Sequence, residues 1–163
     1  MEVAELIRDA FHEATEDLRI NVHDVSDARI EDLRQYDTLI LGTSTYKSGD
    51  LEPDWEYFYN EFKHLDLSGK NIAFFGLGNS LEYADTFSSG MGILARTALK
   101  NNAELIGKWS NEGYDYDYSY AECDADHFYG LVLDQDYEAE MTEERVEQWV
   151  RQLITVLNSL EKV

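Results

Sequence analysis

With 163 residues, 44% apolar and 13% aromatic, the chain is long enough for one well-packed core and too apolar for disorder. Its 13 basic and 34 acidic residues give a formal charge of −21. That balance excludes nucleic acid and anionic membrane surfaces as partners, because affinity for both comes from lysine and arginine on phosphate. No apolar run approaches the roughly 20 residues of a membrane span. The start, MEVAELIRDAF, lacks the basic opening of a secretory leader. The single cysteine, Cys123, has no internal disulfide partner and fits a reducing, cytoplasmic compartment.

Residues 1–14 predict a helix, with Val3, Leu6, Ile7, Ala10, Phe11 and Ala14 at helical spacing. Residues 18–25, LRINVHDV, alternate as a strand does, and a short helix is expected near 28–35. Residues 37–43, DTLILGT, form a nearly continuous apolar run, as expected of a parallel strand covered on both faces. Trp55, Phe58, Tyr59, Phe62 and Leu65 mark the next helix, with Pro53 in its first turn. Residues 69–80, GKNIAFFGLGNS, give a second buried strand ending in a glycine-bearing loop. A helix over 91–99 and a strand over 103–109 follow, then a polar, tyrosine-rich stretch over 110–127. Residues 128–133 resume the strand pattern. Thr142 is the expected N-cap of a long final helix carrying Val146, Trp149, Val150, Leu153, Leu157 and Leu160. There is no internal repeat and no linker, so residues 1–163 read as a single domain.

Strands alternating with helices imply an α/β fold with a doubly wound parallel sheet. Ligands in such sheets bind beyond the carboxyl ends of the strands. That rule selects two loops, 43–53 and 76–87, each with small polar groups, glycine and one tyrosine. Tyr46 and Tyr83 could face one another across a planar ligand. Other chemistries lack support. GLGN lacks the spacing of a dinucleotide fingerprint. Ser44, Ser48 and Ser80 lack a nucleophile elbow. His12, His23, His64 and His127 are too scattered for a metal site, and Cys123 has no basic activator nearby. YDYDYSY, residues 114–120, reads as a cover over the sheet edge or a partner-docking loop ahead of a cation site.

The pieces YDTLILGTSTYKSGDLEPDWE, GKNIAFFGLGNSLEYADTF, GKWSNEGYDYDYS and FYGLVLDQDYEAEMTEERVEQWV, in this order and spacing, resemble flavodoxins of the long-chain group. The resemblance covers essentially the whole chain. It implies a flavodoxin-like sheet of strand order 2-1-3-4-5. It also implies one non-covalently bound flavin mononucleotide (FMN) and single-electron traffic between redox proteins, with no enzymatic activity of the chain's own. The first flavin loop maps to Thr43, Ser44, Thr45, Tyr46, Lys47, Ser48 and Gly49. Tyr46 stands where the inner ring contact is usually tryptophan. The second loop brings Gly78, Asn79, Tyr83, Asp85 and Thr86, with Tyr83 as the outer platform. The pyrimidine edge would meet backbone near Lys47, Gly78 and Asn79, and the acid often found at Asn79's place is missing. The long-chain insertion maps after Glu112. The opening strand and its phosphate-wrapping loop have no counterpart here. That strand would lie between residues 18–25 and 37–43, so the chain is expected to be N-terminally incomplete and to hold FMN weakly.

The reading is therefore an acidic, cytoplasmic, monomeric, low-potential electron carrier using FMN, with basic redox proteins as partners. The alternative is a flavodoxin-like module, or a truncated fragment without a working cofactor, that acts by protein interaction. A third reading, an FMN-dependent reductase, lacks an obvious substrate-binding insertion.

Overall fold

A computed structural model describes residues 1–161. Within them, five α-helices and seven strands follow in order: α1 (Glu2–Ala14), α2 (Ile30–Arg34), β1 (Thr38–Tyr46), β2 (Asp50–Leu51), α3 (Pro53–Phe62), β3 (Asn71–Leu77), α4 (Ser89–Lys100), β4 (Glu104–Leu105), β5 (Trp109–Ser110), β6 (His127–Phe128), β7 (Leu131–Leu133) and α5 (Thr142–Leu160). The main sheet runs β2-β1-β3-β4, and β7 pairs with β3 beyond the end of β4. All its pairings are parallel except that of β1 with the short β2.

The period-two pleat divides the strand residues between two cores. Leu39, Leu41, Ile72, Phe74 and Val132 face α3 and α4, against Trp55, Phe58, Phe62, Met91 and Leu94. Ala73, Leu131 and Leu133 face the other way. There they meet the stripe Val3, Ile7 and Phe11 of α1 and Val146, Trp149, Val150 and Leu153 of α5. Pro53 opens α3 at a position where its missing N–H costs nothing. The result is the three-layer α/β architecture expected from the sequence.

Four expectations need correction. Residues 18–25 form no strand. Leu18, Ile20 and Val22 are half-buried and alternate with exposed residues, but the segment joins no ladder. Alternation gives a strand only when another strand satisfies its backbone. Among the described residues, β1 from Thr38 to Ser44 is laddered on one side only, by β3. Second, residues 43–53 are no open loop, because β1 continues to Tyr46 and turns back antiparallel, Thr45 opposite Leu51 and Tyr46 opposite Asp50. Third, the strand expected over 103–109 joins the sheet only at Glu104 and Leu105, while Trp109 and Ser110 pair with Phe128 and His127 in a separate ribbon. Residues between β4 and β7 therefore interrupt one line of pairing along β3. Fourth, Thr142 is the first residue of α5, after a 3-10 turn (Ala139–Met141), and its buried hydroxyl has no partner.

The interrupting segment lies close against α4. A Cβ on Gly92 would strike the backbone of Tyr120 and Ala121. In an open helix interior, Gly→Ala stabilises by roughly 0.5–1 kcal/mol. Here overpacking against backbone reverses the sign, and Gly92→Ala is expected to destabilise by about 1–3 kcal/mol. The urea midpoint of the variant measures this; an increase would show that α4 and the segment can separate at little cost.

Candidate functional site

Parallel pairing of Thr43 with Gly76 and Ser44 with Leu77 ends β1 and β3 at the same edge of the sheet. The chain leaves that edge in three places, after β1, β3 and β7. Between them opens a cleft of ≈ 320 Å³ lined by Ser44, Thr45, Leu77, Gly78, Asn79, Glu82, Tyr83, Thr86, Ser88, Gln135 and Asp136. Its size falls in the range of small-ligand sites.

The first wall is a hairpin. Lys47 and Gly49 adopt left-handed φ angles of 47° and 101°, which closes the three-residue turn between β1 and β2. A Cβ at Gly49 would come 3.2 Å from Cβ of Thr86, so the turn rests on the second loop. The N–H of Gly90 donates to the Thr45 hydroxyl at 3.1 Å, fastening the hairpin to the first turn of α4. Tyr46 is 46% exposed, and the Lys47 ammonium stands 5.3 Å from its ring centroid.

The second wall is the loop after β3. Its Gly78 N–H donates to Leu133 O at 3.0 Å. The N–H of Glu82 donates to the Asn79 side-chain oxygen at 2.7 Å, and the Asn79 amide donates to Asp136 at 3.0 Å. Ser80 gives both its N–H and its hydroxyl to one oxygen of Asp134, a carboxylate only 1% exposed. The other oxygen of Asp134 receives the N–H groups of Asp136 and Tyr137. One buried carboxylate thus joins the loops after β3 and β7. Tyr83 is 41% exposed, with its ring at the cleft mouth.

Of the residues expected from sequence, Ser44, Thr45, Gly78, Asn79, Tyr83 and Thr86 line the cleft together. Tyr46, Lys47, Ser48 and Gly49 form the adjoining hairpin tip, and Asp85 is exposed on the second loop. Thr43 is buried in the sheet, its hydroxyl donating to Ser44 O at 2.9 Å. Sequence reasoning missed Ser88, Gln135 and Asp136. The last two follow β7, and the carboxyl-end rule applied to a third strand would have found them. Asp136 also supplies a carboxylate beside Asn79, where an acid was expected and not found.

Two features fit a flat polar ligand. The Thr86 and Ser88 hydroxyls are buried without any partner, and both residues line the cleft. A native fold rarely leaves such groups unpaired. Ser88 also has the left-handed φ of 52°, at the start of α4. A Cβ on Gly78 would meet the Phe87 ring at 2.8 Å and Ser88 N at 2.9 Å, so this backbone can be approached closely only because it is glycine. The charged residues lining the cleft are both acids, Glu82 and Asp136.

Titratable groups away from the cleft are structural. Burial pushes the Tyr114 and Tyr116 phenols up to about 12. Burial and the adjoining Asp124 raise the Cys123 thiol, so it is no activated nucleophile. The hydrogen bond from His127 holds Asp124 at about 2. No three His, Cys, Asp or Glu side chains converge as a metal site among the described residues.

The profile of the family described as Flavodoxin matches residues 1–149. A flavodoxin of Nostoc sp. is 40% identical over 151 residues, covering 93% of this chain and 86% of the relative. A flavodoxin of Synechocystis sp. is 40% identical over 157 residues, covering 96% and 90%. The structure of Fusobacterium nucleatum flavodoxin bound to flavin mononucleotide superposes with a TM-score of 0.86 at 23% identity, over 94% of this chain and 89% of that one. With the sheet, the loops and the sequence in agreement, the chain belongs to the flavodoxin family.

Proposed function

We propose that this protein is a low-potential one-electron carrier that holds FMN in the cleft between the hairpin at Tyr46 and the loop at Tyr83. The observation that carries the reading is the pair of exposed tyrosines, on loops leaving adjacent parallel strands, with two unpartnered hydroxyls between those loops. Bound FMN would supply the redox chemistry; the chain's part is to hold and tune it. Tyr83 and Tyr46 offer ring faces. Backbone at Gly78 and Asn79 and the hydroxyls of Thr86 and Ser88 offer partners to the polar edge. Thr43, Ser44, Thr45, Ser48, Gly49 and Asp85 shape or flank these walls. Glu82 and Asp136 disfavour a reduced, anionic ring and so keep its potential low. The interaction-only alternative does not account for buried hydroxyls left unpaired. As flavodoxins are electron carriers and not enzymes, the reductase reading is set aside as well.

The partner we infer is a basic redox protein. The net charge of −21 steers a cationic surface, and Leu81, Tyr83 and Tyr137 stay exposed on the loops after β3 and β7, next in sequence to Glu82, Asp85 and Asp136. All the lining residues of the cleft come from one chain, which favours a monomer. The interruption between β4 and β7 supports the long-chain assignment. The half-buried, unactivated Cys123 suits a cytoplasmic setting.

Titration of the flavin-free protein with FMN tests the central reading; no saturable binding would overturn it. Tyr83→Ala should weaken FMN binding by about 0.5–1.5 kcal/mol and raise the lower of the two one-electron potentials, because an electron-rich ring no longer faces the reduced flavin. Unchanged affinity and potential would remove Tyr83 from the site. Thr86→Val separates two effects. It replaces an unpaired buried hydroxyl by an isosteric methyl, so the flavin-free protein should gain about 1–3 kcal/mol in urea unfolding. FMN affinity should fall at the same time. Stability and affinity moving in the same direction would show that the hydroxyl does not meet the flavin.

A further inference from the structure

We propose that Lys47 limits how far the potential falls: its ammonium, held against the Tyr46 ring, favours the reduced, anionic flavin that the surrounding acids disfavour; this rests on the FMN reading above. The three loops at the carboxyl edge, 43–53, 76–88 and 134–141, carry two, two and four acidic residues, and Lys47 is their single basic one. Lys47 lies inside the three-residue turn between Tyr46 and Asp50, at a left-handed φ of 47°. The turn is fastened on both sides, by the Gly90 N–H on the Thr45 hydroxyl at 3.1 Å and by Gly49 against Thr86. The Lys47 side chain runs along its neighbour and puts the ammonium 5.3 Å from the Tyr46 centroid, a range at which a cation is attracted to a ring. Nearby acids do not cancel the charge. The Glu52 carboxylate accepts from the Ser44 hydroxyl at 3.3 Å, and among the described residues Lys47 belongs to no ion pair.

With Tyr46 stacked on the flavin, the ammonium is farther from the flavin than from Tyr46 by one stacking distance, at most about 7 Å. At that range a charge beside a protein wall is only partly screened. The second electron, supplied by dithionite in vitro or by a donor protein, adds a negative charge to the ring. Lys47 attracts that charge, while Glu82 and Asp136, which line the cleft, repel it. The lower potential is the balance of the two. A test must remove the charge without altering the turn. Methionine does so, because its unbranched stem bears the same left-handed strain as lysine. Glycine or asparagine would relieve that strain and mix two effects.

The experiment compares Lys47→Met, Lys47→Arg and Lys100→Met with the unmodified protein, by redox titration of the FMN-loaded forms. Lys100 ends the 12-residue α4, about 18 Å along the helix from its cleft end, so Lys100→Met changes the net charge equally at a distance. In Lys47→Met, the equilibrium for uptake of the second electron should weaken about three- to fivefold. That moves the lower potential down by about 30–40 mV, at 59 mV per tenfold. Lys47→Arg, which keeps the charge, and Lys100→Met should both stay near the unmodified value. No shift in Lys47→Met would overturn the proposal, as would an equal shift in Lys100→Met, which would assign the effect to net charge. The contact is read separately without flavin. By NMR, the Lys47 ε-methylene protons should lie upfield through the Tyr46 ring current and lose that shift in Tyr46→Leu. An ordinary position in the unmodified chain would overturn the proposal whether or not flavin binds. Failure of the unmodified chain to take up FMN would overturn the cofactor reading and the tuning role with it, whereas normal uptake with equal potentials would overturn the tuning role alone.

Discussion

The parallel register of β1 on β3 is the constraint on which the rest of the site depends. Gly42 stands opposite Phe75 and Thr43 opposite Gly76, so both strands finish at one level. A slip of one residue in β1 would turn Leu39 and Leu41 away from the α3 and α4 core. It would also separate the Thr45 hydroxyl from Gly90. Close packing enforces the match: a Cβ on Gly42 would strike the Phe75 ring. The bulky residue of one strand lies over the side-chain-free residue of the other. The cleft is thus a by-product of core packing. Hydrophobic burial chooses the register, and the register brings the two tyrosine-bearing loops together.

How much of this could be read from the sequence follows from the range of each interaction. The helices were legible because apolar spacing is a local signal, and Trp149 or Phe62 is buried wherever its stripe packs. The strands β1 and β3 were legible because residues covered on both faces must be apolar along their length. Residues 18–25 failed because a strand is a property of two segments, and one segment's alternation says nothing about its partner. The stretch over 103–109 failed for a related reason: its pairing with β3 stops after Leu105 and Trp109 turns to Phe128 instead. Tyr46 and Tyr83 were singled out because each stands at or beyond the carboxyl end of a strong strand in sequence. Asp134 was not, since its grip on Ser80 spans 54 residues and leaves no local mark.

The same limit explains why the tyrosine-rich segment looked like an accessory. Its composition is polar, and its residues show no period. The structure assigns many of those polar groups inward-facing work. The Tyr114 hydroxyl donates to Val132 O at 2.6 Å and receives Trp109 Nε1 at 2.9 Å, while the Arg145 guanidinium stacks 4.3 Å from its ring centroid. Arg145 in turn pairs with Glu138 at 2.7 Å, beside the loop that carries Gln135 and Asp136. Arg96 lies 4.0 Å from the Tyr120 ring and donates to Tyr120 O and Glu122 O. Tyrosine suits such places because its ring fills a core while its hydroxyl reaches a backbone oxygen. A segment that seems solvated by composition is, by contacts, an annex of the core.

On the reading proposed above, two sources of low potential would meet at the cleft, and they differ in range. Ring stacking by Tyr83 would act at contact and be indifferent to salt. The carboxylates act through space, and those on the surface are screened beyond a Debye length of about 8 Å at physiological ionic strength. Asp134 is of a third kind: it is buried and satisfied by four donors, so its charge is spread into N–H and O–H groups that order the loops. Most of the −21 charge would therefore act in encounter with a partner, where long-range attraction raises association rates. The few groups within contact of the ring set its potential. A surface can then gain or lose acids with little effect on the redox centre, while the hairpin and the two pinned loops must stay as they are. That division would place the constraint on residues 44–49 and 78–88 and leave the outer face free to match the redox partner.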